Sequence, residues 1–395
     1  MFLLILRNLR YRRLRSYLTV LGIVIGSTLI LSLLFLGDGL KRAVAAQLTQ
    51  FGSDLIYVFP GKENNPFLGM FAGQTLRDKD VEIIKDVPGV ELALIMNTAT
   101  VKASAGGEEK SILLHGSPWR ETKIVFTQSQ GFSFSDGNFP EKDSANEVMI
   151  GGRVAQGRFG RNLSVGDELV IRGKKFFITG VLNMVGEPTT DSTVYTSLER
   201  FRLITGQRTG VNSLSVKVAR GYEIDEVAVD MRAVLKKQKG IEDFVVLTSE
   251  TAGRLIGDIL SLMQIVISGI AAVALVVGGI GIMNTMYTSV LERTRDVGVL
   301  KALGATSKRI LTMFLFESAA MGAIGGSLGL IIGGGLAKLV EYGVHKAGYA
   351  LLQVEIQPMI VVGVFVFTSF VGMIFGIWPA WRAARLKPTE ALRYE

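Results

Sequence analysis

Read as a string of apolar and polar positions, the chain opens on a membrane-like pattern, leaves it, and comes back to it. No charged residue occurs from Ser16 to Gly37, and an apolar run of that length crosses a hydrocarbon core of ~30 Å at ~1.5 Å per helical residue. Charged, alternating sequence then takes over as far as about Ile256. Ile259–Leu291 is uncharged for 33 residues, longer than one span needs, so that helix is expected to project from the bilayer at one or both ends. Ile310–Ala337 is a third span, interrupted by Glu317, and Ile356–Trp381 is a fourth, with Trp378 and Trp381 as interfacial anchors. Four transmembrane helices are predicted, one before the polar stretch and three after it.

The stretch between them reads as an α+β domain. Leu55–Phe59 is a strand stopped by Pro60-Gly61. Thr75 precedes a helix, Leu76 to Lys85, with acid in its early turns, ended by Pro88-Gly89. Val90–Val101 is a second strand. The order recurs late, as strand Leu214–Val218, helix Glu223–Lys237 and strand Phe244–Leu247. Two such β-α-β units pair into a ferredoxin-like split sheet. Between them, Glu147–Gly151, Val165–Ile171 and Phe176–Leu182 read as strands of an inserted β-rich part. Two loops, Lys62–Phe71 and Thr127–Phe139, carry enough apolar residues either to offer a contact surface or to be packed.

Charge adds orientation. Asp38–Gly257 holds 27 basic and 27 acidic residues, so the formal excess of +8 lies wholly in the two ends that carry the apolar runs. Basic residues flanking spans do not form the stripe that a nucleic acid would need, and nucleic acid is excluded as a partner. Arg7, Arg10, Arg12, Arg13 and Arg15 precede the first span and suit a basic amphipathic helix on an anionic membrane surface. Arg293, Arg295, Lys301, Lys308 and Arg309 connect the second span to the third, and Arg382, Arg385, Lys387 and Arg393 follow the fourth. The positive-inside rule then places both termini and the Glu292–Arg309 connection in the cytoplasm and the large domain outside, in a multi-pass protein of the cell membrane. A cleavable signal peptide competes for the first span through Ala43-Val44-Ala45-Ala46. The length of its apolar run and the charges Asp38, Lys41 and Arg42 favour an uncleaved anchor.

Catalytic chemistry finds little to build on. With no cysteine and only His115 and His345, thiolate sites, histidine metal sites and Ser-His-Asp triads have no material. Asp136, Glu141, Asp143 and Glu147 stand at no spacing that argues for a site. No GxxxxGK[ST] loop occurs, so this sequence does not handle ATP in the P-loop manner. The expectation is a non-catalytic chain binding no metal or cofactor of its own.

Two features inside the spans attract attention. Glu317 is an intramembrane acid, by default a proton or cation contact, yet it lies close enough to the cytoplasmic end of its helix to reach headgroups or Arg309. Gly22 and Gly26 in the first span, and Gly322, Gly325, Gly326, Gly329 and Gly333 in the third, suit close helix packing, with conformational freedom as the alternative.

Three motifs carry a resemblance. Asn8-Leu9-Arg10 with Leu14 to Gly26 resembles the first-span signature of the MacB/FtsX-like ABC transporter permeases. Gly278-Gly279-Ile280-Gly281-Ile282-Met283-Asn284, then Glu292-Arg293-Thr294-Arg295-Asp296-Val297-Gly298 and Lys301-Ala302-Leu303-Gly304-Ala305, resemble its second-span and coupling signature. Pro379 to Arg385 with Pro388 to Glu395 resembles its tail. The resemblance implies a permease that dimerises, with itself or a close relative, among membrane lipids, and pairs with two copies of a separate ABC ATPase subunit. ATP and Mg would be bound by that partner, since the fused ATPase domain of MacB is not found here.

It also implies an external domain made of a ferredoxin-like porter part with a β-rich insertion. Coupling would be by mechanotransmission, with export of a peptide, lipid-linked molecule or lipoprotein. An FtsX-like signalling protein that activates an external enzyme without transport is the alternative. On this reading Glu292 to Asp296 and an amphipathic helix from Val297 to Leu303 dock into the ATPase, and Gly278 to Asn284 lies in the helix that carries the movement outward. The expected division is 1–15, an amphipathic N-terminal helix; 16–46, the first span and its extension; and 47–256, the external domain, porter-like at 47–110 and 206–250 with its insertion at 111–205. The second span at 257–291, cytoplasmic coupling loop and helix at 292–309, third span at 310–337, external loop at 338–355, fourth span at 356–381 and cytoplasmic tail at 382–395 follow.

Overall fold

The computed structural model describes residues 13–50, 52–61, 75–237 and 244–391. Most of the N-terminal arginine cluster, the 62–71 loop and the last four residues lie outside them, as does part of the first-span signature. The chain divides into two compact units: one takes the helical residues up to Lys41, Asp258–Gly343 and the chain from Leu352 onward; the other takes Arg42–Gly257 with Val344–Leu351.

The helical unit is built from α1 (Arg13–Gln50), α8 (Ser249–Glu292), α10 (Ser307–Ala347) and α11 (Pro358–Arg385), all long and apolar enough to cross a membrane. Glycine decides how they meet. A Cβ added to Gly22 of α1 would fall 2.7 Å from Gly278 Cα of α8, and one on Gly26 would fall 2.9 Å from the Leu275 side chain. On α10, Gly329 and Gly333 face Ser27 and Thr28 of α1, whereas Gly322 and Gly326 face Thr368 of α11. Thr28 and Ser32 donate hydroxyl hydrogen bonds to the Gly329 and Gly333 carbonyls at 3.4 and 3.2 Å. Gly279 of α8 meets Phe375 of α11, closing the circuit of four helices. Lipid offers no hydrophobic drive to press helices together, so contact of backbone on backbone supplies the attraction. These glycines are packed at the helix contacts.

The second unit contains two β systems that share one strand. β1 (Leu55–Pro60), β2 (Val90–Ala105), β9 (Ser213–Val218) and β10 (Phe244–Thr248) pair in the order β10-β1-β9-β2, every neighbour antiparallel. With α2 (Asp78–Lys85) after β1 and α7 (Ile224–Lys237) after β9, this is the split β-α-β sheet of a ferredoxin-like fold. Ile56 and Val58 face the two helices, packing with Ile84, Met231 and Leu235. Leu55, Tyr57 and Phe59 face the other way, onto Trp119, Val125 and Phe126 of α3 (Trp119–Ile124) and the π-turn that prolongs it. Covered on both faces, β1 is a continuous apolar run.

The inserted part closes on itself. Pairings run from β2 to β3 (Glu108–Gly116), β8 (Thr193–Thr196), β5 (Glu147–Ile150), β7 (Lys174–Leu182), β6 (Glu168–Ile171) and back to β2. This small barrel is filled by Val101, Ile112, Leu114, Val148, Ile150, Leu169, Phe176, Ile178 and Val194. β4 (Phe134–Gly137) adds to β7 outside the circuit. Phe132, Phe134 and Phe139 pack against the aromatic core around Phe126, so the Thr127–Phe139 loop is a packed loop.

Two expected boundaries move. The insertion does not begin at residue 111, which lies inside β3. The change of sheet falls within β2, whose residues up to Met96 pair with β9 and whose residues from Asn97 pair with β3. The second-span helix starts at Ser249, eight residues ahead of the expected 257, because α8 continues directly from β10. Within the second unit, the short Val344–Leu351 segment is held by Arg153, whose Nη1 donates to Ala347 O, and by Ala350 N donating to Gly186 O at 3.1 Å. The 185–187 loop that receives it, with the helical turn Pro188–Asp191 after it, is folded round Asp191, whose carboxylate accepts from Val185 N and Gly186 N at 2.8 and 3.0 Å.

Candidate coupling site

The residues between the second and third spans fold into α9 (Thr294–Ala302), not into the Val297–Leu303 helix expected. Its earlier start has a local cause. Arg293 leaves helical geometry at φ −105°, ψ 17°, but its N–H still bonds Ser289 O and its carbonyl accepts from Val297 N, while the Thr294 hydroxyl bonds back to Val290 O. α8 and α9 are therefore separated by a single residue.

The far end of α9 closes on a Schellman motif. Gly304 at φ +94° donates to Lys301 O (3.0 Å), and Ala305 N donates to Leu300 O (2.9 Å). Thr306 then begins the next helix, its Oγ1 accepting from Arg309 N. Leu303-Gly304-Ala305-Thr306 thus turns the chain from α9 into α10 with a cap at each helix end.

Along α9 the side chains divide between two faces. Thr294, Val297 and Gly298 are buried, Val297 in a cluster with Ile282, Met286, Phe314 and Ala383. Gly298 abuts Ala391 of the short α12 (Pro388–Ala391), and an added Cβ would fall 2.7 Å from the alanine's. Lys301, expected on the docking surface, is turned inward: its Nζ donates to Ala384 O (2.6 Å) and Leu386 O (2.8 Å) at the C-terminal end of α11. A cation there satisfies carbonyls that the helix leaves unpaired and complements its dipole. Arg295, Asp296, Val299, Leu300, Ala302 and Leu303 face outward, Leu303 at 81% exposure, with Glu292 exposed just before them.

Glu317 finds a partner other than Arg309. Its side chain is 8% exposed, and its two oxygens lie 3.4 Å from Nη1 and Nη2 of Arg293. In the second-span motif, Gly278 and Gly279 are buried at the α1 and α11 contacts, Gly281 is half-buried and Asn284 is exposed. Nearby, Arg382 of α11 lies over the rings of Tyr287 and Trp378, which stack at 5.5 Å between centroids, and Arg385 lies 3.8 Å from the Trp381 centroid. Sequence reasoning missed the Lys301 clamp and the place of Tyr287 beside Trp378 and Arg382, because both depend on residues some 80 or more positions away.

Comparison with known proteins places these elements. Residues 16–234 match the model of the MacB-like periplasmic core domain, and residues 268–388 match that of the FtsX-like permease C-terminal region. An uncharacterized ABC transporter permease of Methanocaldococcus jannaschii is 34% identical over 98% of this chain and 96% of its own length. YknZ of Bacillus subtilis, also an ABC transporter permease, is 32% identical over 97% of this chain and 96% of its own. The macrolide export ATP-binding/permease protein MacB of Wolinella succinogenes is 30% identical over 98% of this chain, which spans 60% of that longer protein. Among solved structures, the periplasmic region of MacB from Actinobacillus actinomycetemcomitans aligns with 54% of this chain and 97% of its own at 14% identity and a TM-score of 0.45. With both family regions matched in order and relatives aligned almost end to end, the chain belongs to the MacB/FtsX-like family of ABC transporter permeases.

Proposed function

We propose that this permease works by mechanotransmission: ATP hydrolysis in a separate ATPase subunit, two copies per assembly, moves its extracytoplasmic domain and so extrudes a peptide, lipid-linked molecule or lipoprotein. The observation that carries the reading is the division of α9. Its outer face joins apolar Val299, Leu300 and Leu303 to charged Arg295 and Asp296, while its inner face is fastened to α10, α11 and α12. Such a helix suits the docking of a soluble partner whose movement must reach several spans at once. The positive-inside pattern supports a cytoplasmic α9. Among the described residues, the interior of the helical unit favours a route outside the membrane core: Gly22, Gly278, Gly322, Gly326 and Gly329 are taken up by helix contacts and Glu317 is paired with Arg293, whereas a solute path needs polar lining.

The test is affinity purification of the tagged chain from native membranes in mild detergent. A P-loop ATPase is expected to accompany it. Leu303→Asp, which sets a charge on the most exposed residue of the apolar outer face, is expected to lower the recovered ATPase about tenfold or more. Full recovery with Leu303→Asp would remove α9 as the docking element.

A further inference from the structure

The joint between α8 and α9 is one residue long, and that residue is pinned by its own side chain. The backbone of Arg293 alone departs from helical geometry there, so small changes in two dihedral angles would swing α9 relative to α8. Beside the Thr294–Val290 bond and the packing of Val297, the swing is opposed by the guanidinium, laid across both oxygens of Glu317 on α10. The carboxylate is nearly closed off from solvent, beside a cluster that contains Phe314 and Met321. Burying such a pair is poor economy for stability, since two apolar side chains of similar volume commonly hold a fold as well or better. A two-pronged ionic contact does fix direction, because a planar fork and a carboxylate match in one arrangement. The opposite end of α9 is fixed by Lys301 on the α11 carbonyls.

We propose that the Arg293–Glu317 pair is a positioning element of the transmission: it locks the α8–α9 angle so that thrust received by α9 passes rigidly into α8 and α10, and it takes no part in holding the ATPase. The proposal rests on the coupling function proposed above, and neither residue belongs to the outer face that would dock. Stability and positioning separate in the double variant Arg293→Met with Glu317→Met, which keeps approximate volume and removes both charges. The full-length variant is expected to unfold at or above the wild-type temperature and to recover ATPase as the wild type does. It should lose stimulation of ATP hydrolysis by about fivefold or more, the range of a coupling free energy of this kind. Wild-type stimulation in the double variant overturns the proposal. So does a drop in recovered ATPase, which would put the pair in the docking surface, or a lowered unfolding temperature, which would make it structural.

A second measurement needs no partner. The chain has no cysteine, so spin labels can be carried on Asn284→Cys and Leu303→Cys, both exposed, on either side of the joint. One narrow distance distribution is expected with the pair present and a broadened one in the double variant. An unchanged distribution overturns the proposal whatever the ATPase does. If the wild type recovers no ATPase but the distribution broadens, the docking function falls and the locked joint stands.

Discussion

His115 is half-buried on β3, 5.4 Å from the Tyr195 ring between centroids, and its removal from solvent lowers its pKa to about 4. An imidazole in the unfolded chain titrates near ~6.5, so the folded state binds the proton less readily than the unfolded one. The stability this linkage carries is complete above the unfolded value and is lost as pH falls towards the folded one, a difference of up to about 3 kcal/mol. Unfolding midpoints of the full chain followed by circular dichroism are expected to fall between pH 6.5 and 4.5, and His115→Phe is expected to flatten part of that fall. The Nε2 atom has no partner to lose. Identical pH profiles for the two proteins would contradict this. The other conspicuous ionisable residue, Glu317, shows where reading single residues stops. Arg309 is eight positions earlier on the same helix, about 12 Å along and ~80° round the axis, and so on another face. Arg293 arrives from a different helix, and no spacing in the sequence encodes that meeting.

At the scale of elements, glycine has opposite uses at neighbouring places. Gly304 is required by its positive φ, whereas Gly278 is required by its neighbour: a Cβ there would fall 2.7 Å from the Ile23 backbone nitrogen. Gly269, on the same helix, faces open space. Gly278→Leu is therefore expected to cost about 3 kcal/mol or more through displaced backbone, read as lost folded yield and a lower unfolding temperature in detergent. Gly269→Leu should match the wild type, and equal behaviour of the two would show that α1 and α8 do not depend on this contact. The GxxxG step of the first span and the glycines of the third span were legible as packing surfaces because small residues at helical spacing have few other uses in a membrane. Which helix each would meet was not, since one ridge of α10 serves α1 and another serves α11. The start of α9 was misplaced for a similar reason. The charged run Glu292 to Asp296 looked like a loop, but backbone bonds carry the helical ladder through it and leave only Arg293 irregular.

On the scale of the whole molecule, the two β-α-β units were readable because each repeats strand, helix and strand with clear stops, and their antiparallel order is a compact way to interleave them. The extent of the insertion was hidden. Along β2 nothing in the alternation of residues marks Met96 from Asn97, although the strand changes partners there. The visible interruption, Gly106-Gly107, is only the two-residue turn of the β2–β3 hairpin, with both glycines at positive φ. This sharing of β2 means that the barrel is a graft on an otherwise complete hairpin. Met96 and Ser213 are cross-strand partners, so their Cα atoms stand ~5 Å apart. A chain in which Asn97–Asn212 is replaced by Asn-Gly, and in which Leu55, Tyr57 and Phe59 are made polar because the cut also removes the Trp119, Val125 and Phe126 that cover them, should close as an ordinary tight hairpin and keep the four-stranded sheet, with strand content and cooperative melting retained by circular dichroism. A collapsed sheet would instead show that the barrel is part of the foundation. If the trimmed permease still recovers the ATPase proposed above, the strand that carries the barrel is also the seam along which the external domain can be shortened without reaching the membrane helices.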